Sequence, residues 1–184
     1  TSEQGDENTA EGVQVIRDRT GRIIGLDSAT SGLVMYSYDE AGQLTSARAD
    51  GYELTWVYED GLMVAERLYH HNTAEDETTQ GRVLLGERQF IYNGLNQLLH
   101  CTTIERPYTV GEGVSAAWVS TEVSYTYNAA GQRTGQKSVT SDGVIQERTY
   151  TWGITGALTT VSDTTTDVHG AEVPGLCSRL RIHA

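Results

Sequence analysis

Residues 52–58 read YELTWVY. Tyr52, Leu54, Trp56 and Tyr58 fall on one side of the alternation, and Glu53, Thr55 and Val57 on the other. The same period of two runs through 119–127, where Val119, Thr121, Val123, Tyr125 and Tyr127 oppose Ser120, Glu122, Ser124 and Thr126. Period two describes a strand with one packed and one wetter face. Turn signals separate such stretches about every ten residues: TG at 20–21, DSATSG at 27–32, DEAG at 39–42, DG at 50–51 and 60–61, NGLN at 93–96, NAAG at 128–131, SDG at 141–143 and GITG at 153–156. That rhythm predicts an all-β chain, a repetitive β-hairpin meander of about twelve strands. Helix formers gather at 59–68, but DG interrupts the run and LMVAERLYH also alternates, so a strand is expected there. Two polar stretches break the rhythm, HHNTAEDETTQG at 70–81 and PYTVGEG at 107–113, and both read as long hairpin tips.

One phrase returns along the chain. YSYDEAGQL (36–44), FIYNGLNQL (90–98), YTYNAAGQR (125–133) and YTWGITGAL (150–158) align by eye. A degenerate copy, VIRDRTGRI, starts at 15, and a shortened one, WVYEDGL, starts at 56. The unit is about twenty residues long, with occasional insertions. Each place has a mechanical reading. Asp39, Asn93 and Asn128, in the fourth place, can accept a hydrogen bond from the backbone two residues on. Gly42, Gly131 and Gly156, in the seventh, can adopt positive φ, and Asn96 is the tolerated substitute. The rings before the turn (Tyr36, Tyr38, Tyr92, Tyr125, Tyr127, Tyr150, Trp152) can meet Leu44, Leu98, Arg133 or Leu158 after it. A lone hairpin is marginal in water, whereas stacked hairpins bury their ring stripe continuously.

The phrase and its spacing resemble the tyrosine–aspartate (YD) repeats of the RHS family, which includes bacterial polymorphic toxins, wall-associated proteins, toxin-complex subunits and the teneurins. The resemblance covers roughly 13–162, with 36–44 and 125–133 the fullest matches. It implies a long β-strip to which each repeat adds a hairpin, and in large members a shell enclosing a C-terminal effector. The Asp-Pro dipeptide of the family's self-cleaving region is absent, since Pro107 follows Arg106 and Pro174 follows Val173. Three segments are expected: a flexible acidic stretch at 1–12, a YD-repeat β-domain at 13–162 and an irregular tail at 163–184. The opening TSEQGDENTAEG, without Met or an apolar signal core, reads as a processed or excised piece.

Composition narrows the partners. The 20 Gly and 10 Tyr suit a β-protein with many reversals. A formal net charge of −12 argues against nucleic acid and anionic membrane surfaces. No stretch suggests membrane insertion. Expected partners are the remainder of a larger parent protein or its effector cargo, with a glycan or cell-surface receptor as the alternative. Two free sheet edges also invite self-association. The expected location is secreted or cell-surface.

Candidate chemistry is thin. His70 and His71 sit beside Glu75, Asp76 and Glu77, but neighbours on a strand point to opposite faces and do not easily share an ion. His100 beside Cys101 meets the same objection, and sequence cannot show whether Cys101 and Cys177 pair. No nucleophile elbow or CxxC is present, and GRIIG, GEG and NAAGQRTG lack the Lys-Ser/Thr ending of a phosphate loop. The chain therefore reads as a non-catalytic structural segment without cofactor or metal. The alternatives are a carbohydrate- or receptor-binding module whose ligand face would include Tyr52, Trp56 and Tyr58, and a glycan-acting hydrolase.

Overall fold

A computed structural model describes residues 12–71, 81–106, 108–109, 113–114, 117–172 and 178–181, and the statements below concern these. Alternating stretches become strands and the Gly-bearing breaks become turns. The strands are β1 (Gln14–Arg17), β2 (Ile23–Ser28), β3 (Gly32–Tyr38), β4 (Leu44–Ala49), β5 (Tyr52–Glu59), β6 (Leu62–His71), β7 (Arg82–Tyr92), β8 (Leu98–Glu105), β9 (Tyr108–Thr109), β10 (Gly113–Val114), β11 (Val119–Tyr127), β12 (Arg133–Thr140), β13 (Ile145–Trp152), β14 (Leu158–Thr166) and β15 (Ser178–Arg181). Thirteen follow one another as antiparallel neighbours in an open meander, and β9 and β10 form a separate two-stranded pair inside the 107–113 interruption. No described residue is helical, and none belongs to a helix long and apolar enough to cross a membrane. The 59–68 stretch is a hairpin: Asp60 and Gly61, at φ 49° and 80°, make the two-residue turn leading into β6.

The chain divides into two compact units, one of Thr1–Val57 with Leu68–Leu84, the other of Tyr58–Arg67 with Leu85–Ala184. The division falls within β5, β6 and β7, so the expected 13–162 domain is shared between both units. In the first unit, Tyr36 pairs with Ala47 and Ala47 with Leu54, while the next row joins Met35, Arg48 and Glu53. In the second unit one row runs Phe90, Cys101, Val123, Ser138, Gln146, Thr165. The adjacent row runs Ile91, His100, Ser124, Lys137, Glu147, Thr164 and belongs to the opposite face.

These faces are half-buried rather than enclosed. Among the described residues only Gly25, Ala65 and Thr165 are buried. Gly25 owes this to Ile16 and Met35, whose side chains close over it to 3.1 and 3.2 Å from where a Cβ would stand. With so little interior, hydrogen bonds at strand ends matter more than in a sandwich core.

The expected irregular tail differs from what is found. β14 runs on to Thr166, residues 167–171 close another tight turn, and β15 pairs with β14 from Asp163↔Ser178 to Thr160↔Arg181. Asp167 and Gly170 hold the turn-forming places, but three threonines precede them where a ring would have flagged a repeat. The flexible 1–12 expectation lies, apart from Gly12, outside the described residues.

Candidate functional site: a ladder of repeated turns

The phrase folds one five-residue turn again and again. Asp39 N–H donates to the Gln43 carbonyl at 3.0 Å, and Gly42 N–H donates back to the Asp39 carbonyl at 3.1 Å. The same reciprocal pair closes 18–22, 93–97, 128–132, 140–144, 153–157 and 167–171. In all seven the fourth residue has positive φ, from 60° at Asn96 to 86° at Gly21. The side chain of the first residue completes most of them. Asn128 Oδ1 accepts from Ala130 N and Gln132 N, both at 3.0 Å, and Asn93 Oδ1 accepts from Leu95 N and Gln97 N at 2.9 and 3.0 Å. Asp39 Oδ1 takes Gln43 N at 2.8 Å. Gly153, without a side chain, leaves its turn to the backbone pair.

The rings just before the turns reach backwards. Tyr38 Oη donates to the Ile23 carbonyl at 2.7 Å, Tyr92 Oη to Met63 at 2.9 Å, Tyr127 Oη to Leu98 at 2.7 Å, and Trp152 Nε1 to Arg133 at 2.7 Å. Each acceptor sits near the start of the strand leaving the preceding phrase turn, so each ring ties one repeat to the one before. The ladder bulges here: register shifts fall between Ser37/Tyr38, Ile91/Tyr92, Thr126/Tyr127 and Thr151/Trp152. Beyond each bulge the ring's register partner is Leu44, Leu98, Arg133 or Leu158. Sequence reasoning assigned these rings to stacking and missed the donor. The signal was present: the third place holds Tyr or Trp in every ringed copy, and the one Phe, Phe90, stands in the first place, where no donor is needed. The first-place rings Tyr36, Tyr125 and Tyr150 are half-buried, and Arg133 lies 4.3 Å over Tyr125. Burial raises the Tyr125 and Tyr92 hydroxyls above the usual tyrosine range.

A second tie was also missed. Gln97 Nε2 donates to the Gly131 carbonyl and Gln132 Nε2 to the Gly156 carbonyl, each at 3.2 Å. Asn93 and Asn128 aim these glutamines by donating to their Oε1 atoms at 2.8 Å. Turns 93–97, 128–132 and 153–157 are thereby wired in series. They share one end of the strands because each repeat advances two strands and restores the chain direction.

Carboxylates in the turns are tuned by the same bonds. Hydrogen bonds from Thr20 and Arg22 hold the Asp18 carboxyl well below the ordinary 3.8. A depressed folded value means that its contribution to stability is full above the ordinary carboxylate range and is lost as pH falls through the folded value. A carboxyl ¹³C titration should therefore place the Asp18 midpoint below 3.8; a midpoint at or above it contradicts this turn geometry. On the sheet, Arg148 makes a bidentate pair with Asp163, with Nη2–Oδ2 at 2.8 Å, and that bond raises its pKa above the ordinary arginine value.

The expected ligand-face rings all lie on β5 but differ in exposure. Tyr52 is exposed and meets His70 edge-on at 4.9 Å, whereas Trp56 and Tyr58 are half-buried and belong to different units. His71 Nε2 faces Glu53 Oε2 at 3.1 Å, Arg82 reaches the same oxygen at 3.2 Å, and Arg82 also covers Tyr69. Glu75, Asp76 and Glu77 lie outside the described residues, as does Cys177. His100 and Cys101 occupy rows on opposite faces. Among the described residues no three His, Cys, Asp or Glu side chains gather to hold a metal ion. The ring donors and most of the turn side chains are spent on the chain's own backbone, so what this arrangement does is join strands.

Neither a family model nor a curated protein sequence matches the chain. Solved structures do. The chain is similar to the TcdB2-TccC3-Cdc42 structure, with a TM-score of 0.56 and 12% identity over 88% of this chain and 11% of that one. It is also similar to the Photorhabdus luminescens Tc holotoxin pore, with a TM-score of 0.53 and 14% identity over 89% of this chain and 10% of that one. The chain thus spans about a tenth of the length of these two neighbours, and what it shares with them is a fold.

Proposed function

We propose that the chain is a non-catalytic structural segment of an RHS-like, YD-repeat protein, secreted or displayed at the cell surface. Its hairpins contribute wall to a β-shell or stalk that encloses or presents an effector. The carrying observation is the wiring of repeat to repeat: ring donors at 2.7–2.9 Å tie four phrase copies to the copy before them, and glutamine donors at 3.2 Å join successive turns from 93–97 to 153–157. A meander sheet in which only three of the described residues are buried gains its stability by extension, which suits a wall better than a free-standing receptor domain. The likeness of fold to toxin-complex structures supports the same reading. The test is to express the chain with the coding sequence on either side of it and follow limited proteolysis. The reading expects further phrases in the flanks and a segment protected only while the strip is intact. Flanks without the phrase, or no protected segment, would contradict it.

A further inference from the structure

Along the turn end of the second unit, two gaps between successive turns are spanned by Gln97 and Gln132. The gap before them is built differently. The preceding hairpin closes through Asp60–Gly61 alone, and the shortened phrase EDGL supplies no glutamine for that place. A groove of about 530 Å³ lies there, between the turn into β6 and the 93–97 turn.

Its lining combines two kinds of surface. The half-buried aromatic residues Phe90 and Tyr92 line it together with the exposed Ile91 between them. Glu59, Asp60 and Asn96 contribute polar side chains that make no hydrogen bond or ion pair with the described residues. Tyr92 is held in place by its bond to the Met63 carbonyl, so that ring is fixed before any ligand arrives. Rings beside carboxylate acceptors and an amide are what a sugar needs: aliphatic C–H faces lie on the rings, and hydroxyls donate to carboxylates while accepting from an amide. A cation would use the acceptors and leave the Asn96 donor idle. An anionic glycan would be repelled by Glu59 and Asp60 in a chain of net charge −12. The volume lies within the range of ordinary small-molecule sites.

We propose that this groove binds a short, uncharged oligosaccharide, whatever role the strip has in a larger assembly. The test titrates the full ¹⁵N-labelled chain with cellotriose, maltotriose and triacetylchitotriose to about 20 mM, a range that captures millimolar affinities. At least one should shift amides within 59–64 and 90–96 and leave the rest of the spectrum in place. Glu59→Gln and Asp60→Asn should each weaken that binding about tenfold, the loss expected for one hydrogen bond to a charged group. Their melting temperatures should match the parent, because Asn tolerates positive φ as Asp does. Absence of shifts with all three sugars, shifts elsewhere, or unchanged affinity in both variants would overturn the proposal. So would trilysine moving the same amides where no sugar does.

Discussion

Gly131→Val should lower the unfolding free energy by about 2–3 kcal/mol, measured as a fall in urea midpoint at unchanged slope. Gly131 sits at φ 80°, where a β-branched side chain is strained. A Cβ there would also stand 3.2 Å from Gln97 Nε2, the atom that donates to the Gly131 carbonyl. The substitution therefore attacks the turn and its tie to the 93–97 turn together. Gly131→Asn is the control. The 93–97 turn already carries Asn96 at φ 60° in the same place, so Asn should cost less than about 1 kcal/mol. Equal losses for Val and Asn would show that backbone conformation does not set the preference for glycine.

Tyr127 separates ring from hydroxyl. Tyr127→Phe keeps the half-buried ring and removes the 2.7 Å bond to the Leu98 carbonyl, which should cost about 1 kcal/mol. Tyr127→Ala removes the packing as well and should cost about 3 kcal/mol, below the value for a fully buried ring because this one is only half-buried. Thermal or urea unfolding of the two variants reads both figures. If Phe at 127 were as stable as Tyr, stacking alone would explain the ring and the backward tie would carry no weight.

Much of this architecture was legible in the sequence because its causes are local. Gly42, Gly131 and Gly156 announce turns by the conformation they permit, and Asp39 or Asn128 by what its side chain can accept. The alternation in 119–127 follows from strand geometry alone. The non-local features were harder to see. The partner of Tyr127 is 29 residues away, and that of Gln97 is 34 residues away, so neither leaves a mark within a single copy of the phrase. Only comparison of places across the ringed copies, with Tyr or Trp third in each and never Phe, carries the trace. The turn at Asp167–Ala171 was overlooked for the opposite reason: its local chemistry is complete, but threonines occupy the ring places used to recognise a repeat. The groove beside Asp60 was also out of reach, because the residues that line it come from two hairpins about thirty residues apart in sequence.

The central claim, that repeats hold one another, is tested most directly by hydrogen exchange in Gly131→Val. Peptides covering 93–98 and 152–158 do not contain the substitution, but they receive or supply the bonds of Tyr127, Gln97 and Gln132. Under native conditions exchange should quicken in both of them as well as in 128–133. Faster exchange confined to 128–133, with 93–98 and 152–158 protected as in the parent chain, would contradict the account.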